Sequence, residues 1–500
     1  MTAAPSSAYL EMASGISLDG LFRANAAVRP DAIALADPAN RLSFTDGAPV
    51  RLSYAEANRR VERIARRLGS FGMPAGSVVA VQLPNIVEAV ISVLAILRAG
   101  YVAAPVSALW RRSDLVAALS GVAPKALITL ARLESDRPAE IICEAAAELF
   151  DLSFPCAFGG EIPDGFVALD RDDDTAATDT PSASVTDAVS LVTFDTDANG
   201  FFATGRSDAQ WLAAGLATFL EAKIETGDTI VTTLPPNSLA AIGASLVPWL
   251  LSGGTLELIH GFAPGAVVAA GAAGKTHLVA PAAALPEIAG QRKDPFSSCI
   301  AVHRGARTLK QDFSSVPSKR IVDLHGFGEV AVVALQREDA RRAGPIPVGG
   351  ISAPSATAGT PIVIEARIAE GQVCLRGPML PRLPFPASGA MPRLLRDREG
   401  FIHTGFHCHS DGNGGLLVDA GPDRVFAVGG LRFGLNDLRS RFSSCGDDIK
   451  IMAVDDPLLG QRLRIETANP DATIAAMEAA GHSRLVIDAT VGAAARRAAS

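Results

Sequence analysis

The chain has 500 residues, 48 % hydrophobic, 20 % charged and 5 % aromatic, with a formal net charge of −8. So apolar a composition excludes a mainly disordered chain. An acidic balance with few aromatic residues argues against a nucleic-acid binder, which needs a basic stripe or stacking rings.

At about 150 residues per domain, the length points to two to four domains. Cys143, Cys156, Cys299, Cys374, Cys408 and Cys445 show no CxxC spacing, which fits a reduced, cytoplasmic setting. The opening MTAAPSSAYLEMASG has no basic stretch leading into an apolar one, so no signal peptide is expected. Tyr54 to Leu68 is amphipathic at helical period, with Ser53 placed as its N-cap. Ser77 to Leu83 is a β-branched run without alternation, as expected for a strand buried on both faces. A helix over Glu88 to Ala99, closed by Gly100, and a strand over Tyr101 to Val106 follow. This alternation predicts a parallel, doubly wound sheet.

Asp170 to Asp187 is acidic and rich in Ser and Thr and reads as a solvated connector. Alternation resumes from Val189 to Val333. Between Asp228 and Glu257 runs a long uncharged stretch, but prolines and glycines cut it below the roughly 20 residues a membrane span needs, so it reads as buried core. From Gly344 to Pro386, Gly, Pro and short apolar runs predict small antiparallel strands. Past Gly421 a mixed tail carries a strand-like Asp448 to Val454 and a helix-like Ala472 to Ala480.

Six segments in order carry a resemblance: residues 52–107, 211–258, 276–289, 323–335, 398–418 and 428–442. Together they resemble the adenylate-forming superfamily of acyl-CoA synthetases and related AMP-forming ligases. The resemblance implies an α/β fold with a large N-terminal domain (residues 1–420) of doubly wound sheets and a small β-barrel-like part, plus a small α+β C-terminal domain (421–500). In that family a carboxylic acid attacks the α-phosphate of ATP, and a thiol, usually coenzyme A, then takes the acyl group. The implied cofactors are ATP, Mg²⁺ and coenzyme A, and the implied ligand is a small carboxylic acid or acyl-CoA.

The resemblance also places the chemical parts. The phosphate cradle falls on Thr193 to Ala203, where Phe202 stands at the family's lysine and Asp195 and Asp197 face the phosphate positions. At about 5 Å and an effective dielectric near 20, each carboxylate–phosphate pair repels by roughly 3 kcal/mol. The alternative there is a degenerate surface loop. The Mg²⁺ motif falls on His325-Gly326-Phe327-Gly328-Glu329, making Glu329 the catalytic and metal-binding candidate, with a retained structural glutamate as the equal alternative. His325, Gly326, Phe327, Gly328, Thr404 and Arg424 are the candidates for cofactor binding.

Thr404-Gly405-Phe406 replaces the ribose-binding carboxylate with Phe406, and Asp411 is the nearest substitute. The hinge falls on Gly421-Pro422-Asp423-Arg424. No lysine follows Lys450, leaving Arg484, Arg496 and Arg497 as replacement cations. His403, His407, Cys408, His409 and Asp411 could hold Zn²⁺ or simply face water. Gly274-Lys275-Thr276 resembles a P-loop end only weakly. Small residues Ala280, Ala282, Ala283, Gly326 and Gly328 place an acyl pocket beside the strand near Val279.

Two functions follow. One is an enzyme, a divergent acyl-CoA synthetase of fatty acid metabolism with weak or unusual nucleotide use, impaired in standard ATP-dependent adenylation or, as a pseudoenzyme, lacking it. The other is a non-catalytic acyl or acyl-CoA binder, or a regulatory partner of an intact ligase. A homodimer is a further possible assembly.

Overall fold

The computed structural model describes residues 15–170, 188–271, 274–355, 362–381, 384–386, 394–446 and 448–492. Of the connector, residues 171–187 lie outside the described residues, as do Arg496 and Arg497.

Local signals place the first elements. The helix Tyr54–Gly69 begins at Ser53, whose Oγ accepts from the Glu56 N–H at 3.2 Å while Glu56 Oε2 accepts from the Ser53 N–H at 2.8 Å. This reciprocal cap satisfies two otherwise orphaned donors. Its apolar face, Ala57, Val61, Ile64, Ala65 and Leu68, is buried. Strand Val78–Val81 is buried along its whole length and pairs in parallel with Val102–Pro105 and Ala126–Leu130. The helix Val87–Arg98 covers this sheet.

The first sheet has eight strands, ordered Pro384–Phe385, Gly200–Arg206, Leu191–Asp197, Val102–Pro105, Val78–Val81, Ala126–Leu130, Phe154–Phe158 and Val167–Ala168. A second eight-stranded sheet runs Ala331–Gln336, Ile321–Phe327, Ser298–His303, Thr276–Pro281, Thr229–Thr232, Thr255–Leu258, Ile33–Ala36 and Arg51–Ser53. The uncharged stretch becomes strand Thr229–Thr232, a helical run from Leu239 to Ser252 and strand Thr255–Leu258. That run widens into a π-turn at Ile242–Leu246, just before Pro248, which has no N–H to donate back. Gly253, at φ +60°, closes it in the left-handed region. Among the described residues no helix is long and apolar enough to cross a membrane.

A six-stranded antiparallel sheet covers Ile346–Pro347, Gly415–Ala420, Ile402–Ser410, Gln372–Arg376, Ile362–Ala369 and Gly349–Ser352 in that order. One core reaches from Leu18 to Leu416 through all three sheets. The C-terminal part has its own core, including Val428, Phe433, Leu438, Phe442, Ile465 and Met477. It holds a hairpin (Val425–Val428 with Leu431–Gly434), the helix Leu435–Arg441, a three-stranded sheet and two further helices.

Candidate functional site

The segment expected as a phosphate or surface loop is neither. Leu191–Asp197 and Gly200–Arg206 form an antiparallel hairpin closed by Ala198 and Asn199. Asp197 Oδ1 accepts from the Asn199 N–H at 2.7 Å, which tightens the turn. Thr193, Asp195 and Thr196 are buried. Trp110 lies edge-on to Phe194 and Phe201, so aromatic packing anchors the hairpin to the large domain.

Asp195 therefore differs from the exposed, repelling carboxylate expected. Its oxygens lie 2.6 and 2.7 Å from Arg432 Nη1, and Oδ2 accepts from the Glu329 N–H at 2.8 Å. Burying that charge is tolerable only because a cation and N–H donors meet it. Gly328, at φ +59°, lies directly beneath the pair. A Cβ there would sit 2.2 Å from Asp195 Oδ2 and 2.4 Å from Arg432 Nη1, so only glycine fits.

The hairpin turn also grips the C-terminal part. The N–H groups of Asn436 and Asp437 donate to the Ala198 carbonyl at 2.9 and 3.1 Å. A Cβ on Gly434 would lie 2.1 Å from the Asp197 carbonyl oxygen, so the chains approach too closely for any side chain. Arg441 meets Asp114 Oδ1 at 2.8 Å, and the Ser113 N–H donates to Gly481 O at 2.9 Å. Arg432 and this clasp were not foreseen. The available signal was Asp195 itself, which shares the inward face of its strand with Thr193 and so requires a cation.

Glu329 is fully buried. Oε1 takes Arg304 Nη2 at 3.0 Å and Oε2 accepts from the Leu239 N–H at 2.6 Å, so both oxygens have partners. Burial pushes its carboxyl pKa up. Its carbonyl accepts from Arg206, which also reaches Val330 O and Met379 O, each at 2.9 Å. Burial lowers Arg206 to about 10.

His325 is buried and stacks on His303 with ring centroids 5.5 Å apart, and its Nε2 has no hydrogen-bond partner among the described residues. Burial depresses it to about 3. Gly326 faces the His303 carbonyl and Ala240. Phe327 meets Phe406 edge-on at 5.1 Å. Thr404 Oγ1 donates to Val373 O at 2.8 Å and is committed to the sheet. Arg424 stands apart from these groups, with φ +58°, its carbonyl accepting from the Leu435 N–H at 2.8 Å.

A cavity of about 580 Å³ opens between the ends of the second sheet, the hinge and the C-terminal part. Ala282, Ala283, Phe406 and Arg424 line it. The expected acyl pocket is displaced: Ala280 belongs to the core, and Gly326 and Gly328 are covered. The expected histidine cluster is split by strand Ile402–Ser410. His407 pairs with Asp423 at 3.1 Å and His409 with Asp419 at 2.8 Å, while Cys408 faces inward. Among the described residues no group of three or more His, Cys, Asp or Glu could hold a metal ion. Asp411 caps its own turn, accepting from the Asn413 and Gly415 N–H groups. Lys275 pairs with Glu225 at 2.6 Å, and Arg484 lies 3.5 Å from Asp136, outside the cavity lining.

Residues 22–183 match the family model described as AMP-binding enzyme. That matched stretch of the chain is similar to the AMP-binding enzymes. The chain shares its fold with the apo structure of MbtA from Mycobacterium smegmatis: TM-score 0.63 and 18 % identity over 98 % of this chain and 93 % of that one. It also shares it with the amide bond synthetase McbA from Marinactinospora thermotolerans: TM-score 0.67 and 15 % identity over 95 % of each chain. Tyrocidine synthase 1 of Brevibacillus parabrevis is 32 % identical over 122 residues, which is 24 % of this chain and 10 % of that protein. The chain spans a tenth or less of the length of the curated relatives it matches. AMP-binding enzymes in general use ATP and Mg²⁺.

Proposed function

We propose that this adenylate-forming-superfamily member has lost standard ATP-dependent adenylation and acts by holding a carboxylic acid or acyl-CoA in the cavity beside Arg424. The observation that carries the reading is the closed hairpin at the expected phosphate cradle, with Asp195 locked between Arg432 and the Glu329 N–H. A triphosphate needs open backbone N–H groups and a cation. Here the turn donates no such cradle, and Arg432 already neutralises a carboxylate. Nor do the remaining groups fit the missing partners. Glu329 has both oxygens engaged, away from a Mg²⁺ ligand's open geometry, and Phe406 cannot accept hydrogen bonds from ribose hydroxyls. The proposed division of the chain falls near Gly421, where the cavity's hinge begins.

ATP–pyrophosphate exchange over a panel of carboxylic acids tests this, alongside thermal shift with MgATP and with acyl-CoAs. No exchange and no nucleotide shift, with a clear acyl-CoA shift, is the expected result. Robust exchange with any acid overturns it.

A further inference from the structure

At the wall of the large cavity a hydroxyl, an imidazole and a carboxylate stand in line. His303 ends the strand Ser298–His303, and the short turn that follows brings Thr308 back to it. Thr308 Oγ1 lies 2.9 Å from His303 Nδ1, and His303 Nε2 lies 2.8 Å from Asp323 Oδ1 on the neighbouring strand. Arg337 grips Asp323 in turn: its Nε lies 3.0 and 2.8 Å from the two carboxylate oxygens and its Nη2 lies 2.7 Å from Oδ1. Against the cost of burial, the bonds from His303 and Arg337 hold the Asp323 carboxyl well below its ordinary value. An ionised Asp323 only accepts, so His303 carries its proton on Nε2 and presents the Nδ1 lone pair to Thr308. The Thr308 hydroxyl has two acceptors in reach, His303 Nδ1 and the Gly305 carbonyl at 3.0 Å, and only the first is a base.

Access separates this trio from a similar one. His277 lies 2.7 Å from Ser298 Oγ and 3.0 Å from Asp228 Oδ2, but Ser298 is completely buried and does not line the cavity. Thr308 is half-buried and lines it, while His303 and Asp323 stand buried behind. The hydroxyl is therefore the end of the relay that a bound molecule can meet. The same wall carries a cation. Arg304, Arg307 and Arg432 meet Glu329, Asp455 and Asp195, whereas Arg424 has no carboxylate partner among the described residues. A guanidinium without a counter-ion suits an oxyanion that forms in the cavity.

We propose that Thr308 is a nucleophile that cleaves acyl esters in this cavity, with His303 as its base and Asp323 as the residue that positions the imidazole. Thr308 Oγ1 bonds to the carbonyl carbon of the ester while its proton passes to His303 Nδ1. The bond from that carbon to the alcohol oxygen then breaks, and the departing oxygen takes the proton from His303. Water, deprotonated by the same nitrogen, attacks the acyl-Thr308 ester; the acid leaves and the proton returns to Thr308 Oγ1. This extends the ligand-holding reading above, on which the place of the acyl group rests, from binding to turnover.

The full chain, mixed with p-nitrophenyl butyrate, should release p-nitrophenol in a burst followed by slower turnover, faster than the heat-unfolded chain does. Acid-quenched protein should carry a butyryl group on the peptide that contains Thr308, read by mass spectrometry. Thr308→Val, close in shape at a half-buried position, should lower kcat/KM by about a hundredfold and abolish the adduct, while Thr308→Ser keeps both. Asp323→Asn, with its folding checked by a melting curve, should slow the burst without changing the ester concentration at which it saturates. No burst, an adduct on another residue, a Thr308→Val variant as active as the native chain, or a folded Asp323→Asn variant with an unchanged burst overturns the proposal. Pyrophosphate exchange and the acyl-CoA thermal shift are read separately. Absent ester cleavage with the acyl-CoA shift intact removes this inference alone, and exchange alongside a Thr308-dependent burst removes the loss of adenylation alone.

Discussion

Two regions of the first sheet are held by different forces. In residues 52–107 the central strands bring only Val, Ala and Pro inward, and the covering helix Val87–Arg98 buries Val90, Leu94 and Ala95 against them. In the hairpin 191–206 the buried set includes Thr193, Asp195, Thr204 and Arg206. Apolar burial is non-directional and is satisfied by any well-packed neighbour. Buried charge requires particular partners, and for Asp195 the cation comes from residue 432, far along the chain. The first region is therefore robust and locally encoded, and the second depends on the docking of another part of the molecule.

Breaking the polar side should have the largest effect. Arg432→Met leaves Asp195 buried without its cation and should cost about 3–5 kcal/mol in chemical denaturation. Adding Asp195→Asn should recover much of that loss. A single-variant cost below about 1 kcal/mol would show that the clasp contributes nothing and would erase the contrast. On the apolar side Leu94→Ala should cost about 2–5 kcal/mol, with no remote substitution able to restore it.

A pH series sharpens the comparison. Burial holds His325 down at about 3 and His482, edge-on to Phe442, down at about 4. Both are neutral in the fold, so full stability holds above the ordinary histidine value of about 6.5. As pH falls below it, the unfolded chain takes up protons first and stability is lost towards those depressed values. From pH 7 to pH 5 each should cost about 2 kcal/mol. His482→Gln should remove its share from a set of melting curves. The smallest effect belongs to the local cap: Ser53→Ala should cost about 1 kcal/mol, measured in the same way.

Much of the large domain was legible in the sequence. The helix after Ser53, the strand near Val79 and the uncharged stretch from Asp228 were all readable because capping, periodicity and chain punctuation act within a few residues. The site was much less legible. The resemblance puts a loop over Thr193 to Ala203, whereas the two-residue turn at Ala198 and Asn199 joins two strands into a hairpin. Asp195 reads as a free charge in the sequence, which reveals a carboxylate but not the arginine that meets it. Small residues near Gly328 suggest space for an acyl group, yet Gly328 is small to let an ion pair lie on it.

By itself the sequence determined the alternating α/β layers, the resemblance of residues 22–183 to AMP-binding enzymes and the altered residues at the expected motifs, since burial patterns and motif spacing are properties of the linear chain. Tertiary structure alone decided which of those charges are neutralised, where the cavity opens and that Arg424 is left without a carboxylate partner among the described residues. Electrostatic pairing depends on distances of a few ångströms between residues hundreds of positions apart, and no local pattern records them.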